Sequence, residues 1–307
     1  MNLNLRTLIR GLLLTMLGTQ TTAAMSDGLP TAVPLTGPGI TGTVLRHAVM
    51  PSTHVAARNV DVWLPPDYAG NPERRYPVVY MHDGQNLFDP ATSMGNVDWG
   101  VDEAMTGLIA RGEARPAIIV GVWNTNKRRE EYMPQRAVTR DMPMNVPGAA
   151  DLKPGDIVSD RYLAFLVEEL KPFIDASYRT LPGRADTIVM GSSMGGLISQ
   201  YAMSKHPDVF GGAGCVSTHW PAGDGIALDD FAAHLPDPAT HRYWFDYGTE
   251  TLDATYEPFQ RRADAILRKA GYIEGQNWVT RKFEGAEHSE KAWRARVDQP
   301  LVFLLGR

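Results

Sequence analysis

In Thr187-Ile-Val-Met-Gly-Ser-Ser-Met-Gly-Gly196 a short apolar run passes directly into a glycine-bracketed serine, and Leu197, Ile198, Tyr201 and Ala202 follow at helical spacing. The stretch predicts a strand, a tight turn and a helix. Gly191, Ser193 and Gly195 fill the pattern G-x-S-x-G, in which glycines remove the Cβ atoms that would clash at such a corner. The turn lifts the Ser193 hydroxyl above the sheet edge. It also points the amide of Met194, at the helix N-terminus, to where an anionic oxygen would form. Ser193 is therefore the candidate nucleophile.

Around this corner the chain alternates apolar runs with helical periodicity. Thr43 to Met50 and Ala57 to Leu64 read as opening strands paired as an antiparallel edge. Buried strands are expected at Tyr76 to Met81, Ala117 to Val122, Val209 to Val216, Arg242 to Tyr247 and Asn277 to Phe283. Helices are expected over Val101 to Ala110, from Asp160 onward with Leu163, Leu166, Val167, Leu170, Phe173 and Ile174 on one face, over Tyr256 to Ala270, and over Lys291 to Leu305. This order predicts an α/β fold, with a mostly parallel central sheet, helices on both faces and antiparallel strands at the N-terminal edge. The segment from Asn124 to Asp156 reads as a long loop or lid. Within it, Lys127-Arg128-Arg129-Glu130-Glu131 is most simply a solvated, self-neutralising charge run, and otherwise a pocket wall.

A length of 307 residues suits one large domain, read here as residues 41–307. Net charge is -5, which offers no general footprint for nucleic acid. Arg6 and Arg10, the apolar centre around Leu12–Leu14, and Thr22-Ala23-Ala24 read as a signal peptide over residues 1–24; its apolar centre is too short to span a bilayer. A periplasmic or secreted chain is expected, with no membrane partner after cleavage. Residues 25–40, rich in Pro, Gly and Thr, suit a flexible leader. They hold the first two glycines of a decoy, Gly37, Gly39 and Gly42 in G-x-G-x-x-G spacing, but no strand precedes these and a strand rather than a helix follows. The single cysteine, Cys215, reads as a buried structural thiol.

A serine hydroxyl needs an imidazole to take its proton and a carboxylate to hold that imidazole in the right tautomer; on such a fold the chain order is Ser, acid, His. His288 alone falls in a loop beyond the last expected strand, and is the candidate base. For the acid, Gly248-Thr-Glu-Thr-Leu-Asp253 offers two carboxylates: Asp253 is favoured, because the shorter side chain on the longer loop can turn back beneath the imidazole, with Glu250 as the alternative. Whichever of the two is unused is available to cap the helix that follows. No H-E-x-x-H or C-x-x-C pattern or tight His/Asp cluster suggests a metal, and no cofactor is expected.

Together, His82-Asp-Gly-Gln-Asn-Leu-Phe88, Gly191-Ser-Ser-Met-Gly-Gly196, Ser217-Thr-His-Trp-Pro221, Gly248-Thr-Glu-Thr-Leu-Asp253 and Glu287-His-Ser-Glu290 resemble the Putative esterase family of α/β hydrolases, related to esterase D, feruloyl esterases and enterochelin esterases. The resemblance runs from about residue 43 to the C-terminus. It implies an α/β-hydrolase fold, with Ser193 as nucleophile, His288 as base, and the amide of Gly84 or Gln85 as second oxyanion donor beside Met194. Many relatives carry the acid three residues after the strand-end glycine, where this chain has Thr251. The reading is a secreted serine carboxylester hydrolase acting on a carbohydrate-, phenolic- or siderophore-linked ester, with His219, Trp220 and Trp123 as substrate-binding candidates; the two tryptophans are candidate pocket walls, with core packing as the alternative for each. An acyltransferase using the same serine, and a non-catalytic ligand-binding relative, are the competing readings.

Overall fold

The apolar runs Val78–His82 and Ile118–Val122 carry no polar face, and both strands are buried along their whole length. Such strands need cover on both sides, and the computed structural model, which describes residues 31–141 and 151–306, supplies it. Alternate residues divide between two cores. Val78, Tyr80, Ile118 and Val120 join one, and Val79, Met81 and Ile119 the other.

Nine strands form one sheet: β1 (Ala32–Leu35), β2 (Thr43–Met50), β3 (Arg58–Leu64), β4 (Val78–His82), β5 (Ile118–Val122), β6 (Thr187–Ser192), β7 (Gly212–Val216), β8 (Arg242–Gly248) and β9 (Trp278–Phe283). Their order is β1-β2-β3-β5-β4-β6-β7-β8-β9. The pairs β1–β2, β2–β3 and β3–β5 are antiparallel and the rest parallel. From β4 the chain moves outward to β5, then returns past β4 to β6 and continues the other way. The crevice outside the C-terminal ends of β4 and β6 is thus a topological switch point, where open α/β sheets bind ligands.

The helices are α1 (Val101–Ala110), α2 (Arg128–Tyr132), α3 (Ser159–Ala164), α4 (Lys171–Ser177), α5 (Met194–Lys205), α6 (Ile226–Ala233), α7 (Glu257–Lys269), α8 (Glu290–Arg294) and α9 (Asp298–Leu305). Apolar residues of α3 to α7 feed the first core, and those of α1, α8 and α9 the second. The amphipathic helix expected from Asp160 is interrupted by a π-helical stretch, Phe165–Leu170. Pro172 follows it and has no N–H for the regular ladder, so the wider stretch keeps Leu166, Leu170 and Ile174 on the core face. The closing helix expected over Lys291 to Leu305 is two helices, α8 and α9.

The signal peptide expected over residues 1–24 lies outside the described residues. Among those described, no helix is long and apolar enough to cross a membrane. The expected flexible leader over 25–40 needs correction, because Ala32–Leu35 is a paired edge strand. Pro34 is tolerated there since an edge strand leaves some N–H positions unused. Leu35 and Ile40 pack on the second core. The glycine decoy falls in and after the turn between β1 and β2, and no helix follows it.

Candidate active site

Ser193 stands between β6 and α5 with φ 59° and ψ -119°, a conformation that side chains rarely adopt. Neighbours hold it there: its amide donates to the Val216 carbonyl at 2.9 Å, and its own carbonyl accepts from Gly196 and His219 at 3.0 and 3.1 Å. The glycines have separate reasons. A Cβ on Gly191 would lie 3.0 Å from Gly195 Cα, and one on Gly196 2.8 Å from Thr218 Oγ1. Across the crevice, Asp83 has φ 58° and Gly84 crosses so close to β5 that a Cβ would come within 2.4 Å of the Gly121 carbonyl carbon. Met194 opens α5 and Gln85 sits in the short 3-10 turn Gly84–Asn86, so neither amide has an intrahelical acceptor.

His288 Nδ1 lies 2.5 Å from Asp253 Oδ1. Burial pushes the Asp253 carboxyl up, but bonds from His288, from the Ser217 hydroxyl and from the Gly248 amide outweigh it and hold the group below its ordinary value. An ionised carboxylate only accepts, so Nδ1 carries the proton and Nε2 is left with a lone pair. Asp253 is buried in the 3-10 turn Thr251–Thr255, its Oδ2 fixed at 2.6 Å by both Ser217 Oγ and the Gly248 amide. Glu250 is exposed and caps nothing with its side chain, and the carboxylate on the His288 ring is that of Asp253. Thr251 accepts the His288 amide proton at 2.8 Å instead.

Ser193, His288 and Gln85 line one cleft of about 430 Å³, together with Asp83, Asn124, Arg128, Glu290 and Trp293. Arg128 is not the solvated member of a charge run. Its Nε and Nη2 grip Asp83 at 2.7 Å each, while Asn124 Nδ2 donates to the same carboxylate at 2.6 Å. Glu131 of that run is buried and paired with Arg58. The expected substrate-binding trio does not line this cleft. Trp220 is buried, donates to Gln260 Oε1 at 3.0 Å and packs against Phe231. Trp123 donates to Asp61 at 2.7 Å, with Arg46 over its ring. His219 is fully buried against the Tyr256 hydroxyl, 2.6 Å from its Nδ1.

Sequence reasoning missed Tyr256, whose hydroxyl neighbours the Ser193 side chain and stays protonated because burial raises it. It missed Asp83 and Glu290 too, although both lie in quoted motifs. Burial pushes the Glu290 carboxyl up; the Asp83 charge adds to this, and its own amide, His288 and Arg128 oppose it. The three carboxylates Asp98, Asp102 and Glu103, which the sequence did not suggest as a cluster, offer oxygens within 4.8 Å of one another. Arg294 supplies their counter-charge, at 2.7 Å from Asp98 and 3.2 Å from Glu103.

Behind the turn after β4, His82 is buried with Nδ1 on the Tyr162 hydroxyl, and burial drives its pKa down to about 3. The unfolded chain, with an ordinary imidazole near 6.5, therefore binds one more proton between those values. Stability from this group is complete above pH 6.5 and falls towards pH 3, by up to roughly 1.4 kcal/mol per pH unit. Urea midpoints for His82→Asn, which keeps a partner for Tyr162, should fall less steeply between pH 6.5 and 4 than those of the wild type. Parallel slopes would exclude this source of acid sensitivity.

A family model described as "Putative esterase" matches residues 55–304. The Bacillus subtilis (strain 168) protein described as "Uncharacterized protein YbbA" is 23% identical over 266 residues, 83% of this chain and 96% of that one. The endo-1,4-beta-xylanase/feruloyl esterase of Xylanibacter ruminicola is 24% identical over 79% of this chain, which spans only 28% of that protein's length. A solved ferulic acid esterase matches with TM-score 0.61 and 21% identity over 85% of this chain and 97% of its own. The Shigella flexneri enterobactin esterase FES, solved in the presence of enterobactin, matches with TM-score 0.61 and 20% identity over 91% of this chain and 61% of its own. With the family match covering most of the sequence, the chain belongs to the Putative esterase family and is a carboxylester hydrolase of the α/β-hydrolase fold.

Proposed function

We propose that the protein is an exported serine esterase that works through an acyl-enzyme on Ser193. The observation that carries this reading is the 2.5 Å contact between His288 Nδ1 and Asp253, in the cleft that also holds a serine at a strained strand-to-helix corner. Ser193 Oγ attacks the ester carbonyl carbon while His288 Nε2 takes its proton. The amides of Met194 and Gln85, with Gly84 keeping the second turn close, receive the charge that develops on the carbonyl oxygen. His288 then protonates the departing alcohol. A water molecule, deprotonated by the same nitrogen, releases the acid and restores Ser193. The names of the relatives, a ferulic acid esterase and an enterobactin esterase, support an ester as the substrate class and leave its acyl and alcohol parts open. Export rests on the N-terminal sequence pattern.

The test is the intact mass of protein recovered from the periplasm or medium after exposure to a fluorophosphonate, beside Ser193→Ala and His288→Ala. One adduct on the wild type and none on either variant is expected, on a chain that begins near Met25. A folded wild type that takes no adduct would end the serine mechanism, and a chain retaining residues 1–24 would end the export reading.

A further inference from the structure

Ligand pockets are usually lined mainly by hydrophobic and aromatic side chains, with a few polar groups for orientation. Around Ser193 that balance is reversed. Among the described lining residues only Met94 and Trp293 are apolar, and Trp293 has its indole N–H committed to Ser217 at 3.0 Å and its ring edge-on to His288. The remaining wall carries Asp83, Gln85, Asn124, Arg128 and Glu290.

One of these is held ready for a ligand. The Arg128 fork is locked on Asp83 through Nε and Nη2, and Asp83 is itself held by Asn124; Nη1 has no partner among the described residues. Its direction is fixed by bonds already made, so ordering it on a ligand costs little side-chain entropy. Glu290, in the first turn of α8, lines the cleft opposite in sign, and no described Lys, Arg or His side chain forms an ion pair with it. A fixed guanidinium N–H and a carboxylate facing one space match groups that donate and accept at once.

We propose that Arg128 and Glu290 form a hydroxyl-reading subsite, so that the ester preferred by this cleft is an O-acylated carbohydrate, with free hydroxyls beside the scissile bond. Hydroxyl protons go to Glu290, and a hydroxyl oxygen takes the N–H of Arg128 Nη1. Methyl ferulate brings no hydroxyl on its alcohol side to this pair, and an anionic ligand meets the Glu290 carboxylate. Glu290 acts on selection, not on the proton transfers. The inference rests on the serine-hydrolase reading and adds the substrate class to it.

The experiment compares kcat/KM on mono-O-acetylated methyl glucosides, on methyl ferulate and on 4-nitrophenyl acetate, for the wild type, Glu290→Gln and Glu290→Asp. The wild type should favour at least one sugar acetate over methyl ferulate by tenfold or more. Glu290→Gln should lower the ratio of sugar acetate to 4-nitrophenyl acetate at least tenfold, chiefly through KM, with Glu290→Asp intermediate. As a check independent of turnover, the Kd of the same sugar acetate on Ser193→Ala should rise when Glu290→Gln is added. A wild-type preference for methyl ferulate, or an unchanged ratio in Glu290→Gln, overturns the subsite while leaving the hydrolase. No turnover of any ester, with no fluorophosphonate adduct, overturns the hydrolase and the subsite with it.

Discussion

Asp253→Asn should lower kcat by roughly 10⁴ while the protein stays folded, because the exchange forces His288 into the wrong tautomer. The two carboxylate oxygens are not equivalent. Oδ2 receives the Gly248 amide and the Ser217 hydroxyl, each at 2.6 Å, whereas Oδ1 faces His288. Ser217 cannot reverse its bond, since its oxygen already accepts from Trp293 Nε1 at 3.0 Å and Arg296 Nη2 at 2.9 Å, and its single proton has nowhere else to go. An asparagine must therefore keep its oxygen at the Oδ2 position and turn its NH₂ towards His288. Nδ1 then becomes an acceptor, the ring proton moves to Nε2, and no lone pair remains for the Ser193 proton. Steady-state hydrolysis of 4-nitrophenyl acetate and the rate of fluorophosphonate labelling should fall together, with Tm changed little. Activity within tenfold of the wild type would mean that Asp253 does not govern the tautomer.

The serine corner was legible because its geometry is local: a strand, three glycines and a helix lie within sixteen consecutive residues, Thr187–Ala202. Chain order alone singled out His288. The carboxylate partner of His288 was harder, since Glu250 and Asp253 share a loop and spacing does not say which turns inward. The 3-10 turn that carries Asp253 back under the ring is set by bonds to Gly248 and Ser217, and β8 and β7 bring these together from positions 5 and 36 residues away. For the same reason the solvated reading of Arg128 fails and its alternative, a pocket wall, holds. Its neighbours in sequence are charged, but its partner Asp83 lies 45 residues earlier. The aromatic walls assigned to Trp123 and Trp220 were drawn from residue type, and each indole is claimed by a polar partner, Asp61 or Gln260, that no local pattern announces. β1 was hidden by Pro34 and a turn-rich composition, which argue against a central strand but not against an edge.

Behind the acid, Arg296→Met should cost about 3–5 kcal/mol of stability and lower Tm by roughly 10 °C. Arg296 and Asp246 are 2% and 0% exposed, and the guanidinium reaches Asp246 Oδ1 through Nε and Nη2 at 3.2 and 2.9 Å. Burial pushes the Asp246 carboxyl above its ordinary value even with Arg296 present. Without the arginine, the carboxylate keeps its bonds from Trp244 Nε1 and the Ser217 amide but loses its only ion-pair partner among the described residues, so it must be buried unpaired or take a proton. Protonation gives the loss a pH signature. The folded variant holds its Asp246 proton to higher pH than the unfolded chain does, so its deficit against the wild type should grow from pH 5 to pH 7. Removing the charge as well, in Asp246→Asn with Arg296→Met, should recover part of the loss, because a neutral amide is far cheaper to bury than an unpaired carboxylate. Chemical denaturation at both pH values reads all three proteins. A double variant no more stable than Arg296→Met would move the arginine's contribution from the ion pair to its packing over Phe283, 4.7 Å from the ring centre, and to its bond with Ser217, leaving the support of Asp253 to rest on those contacts alone.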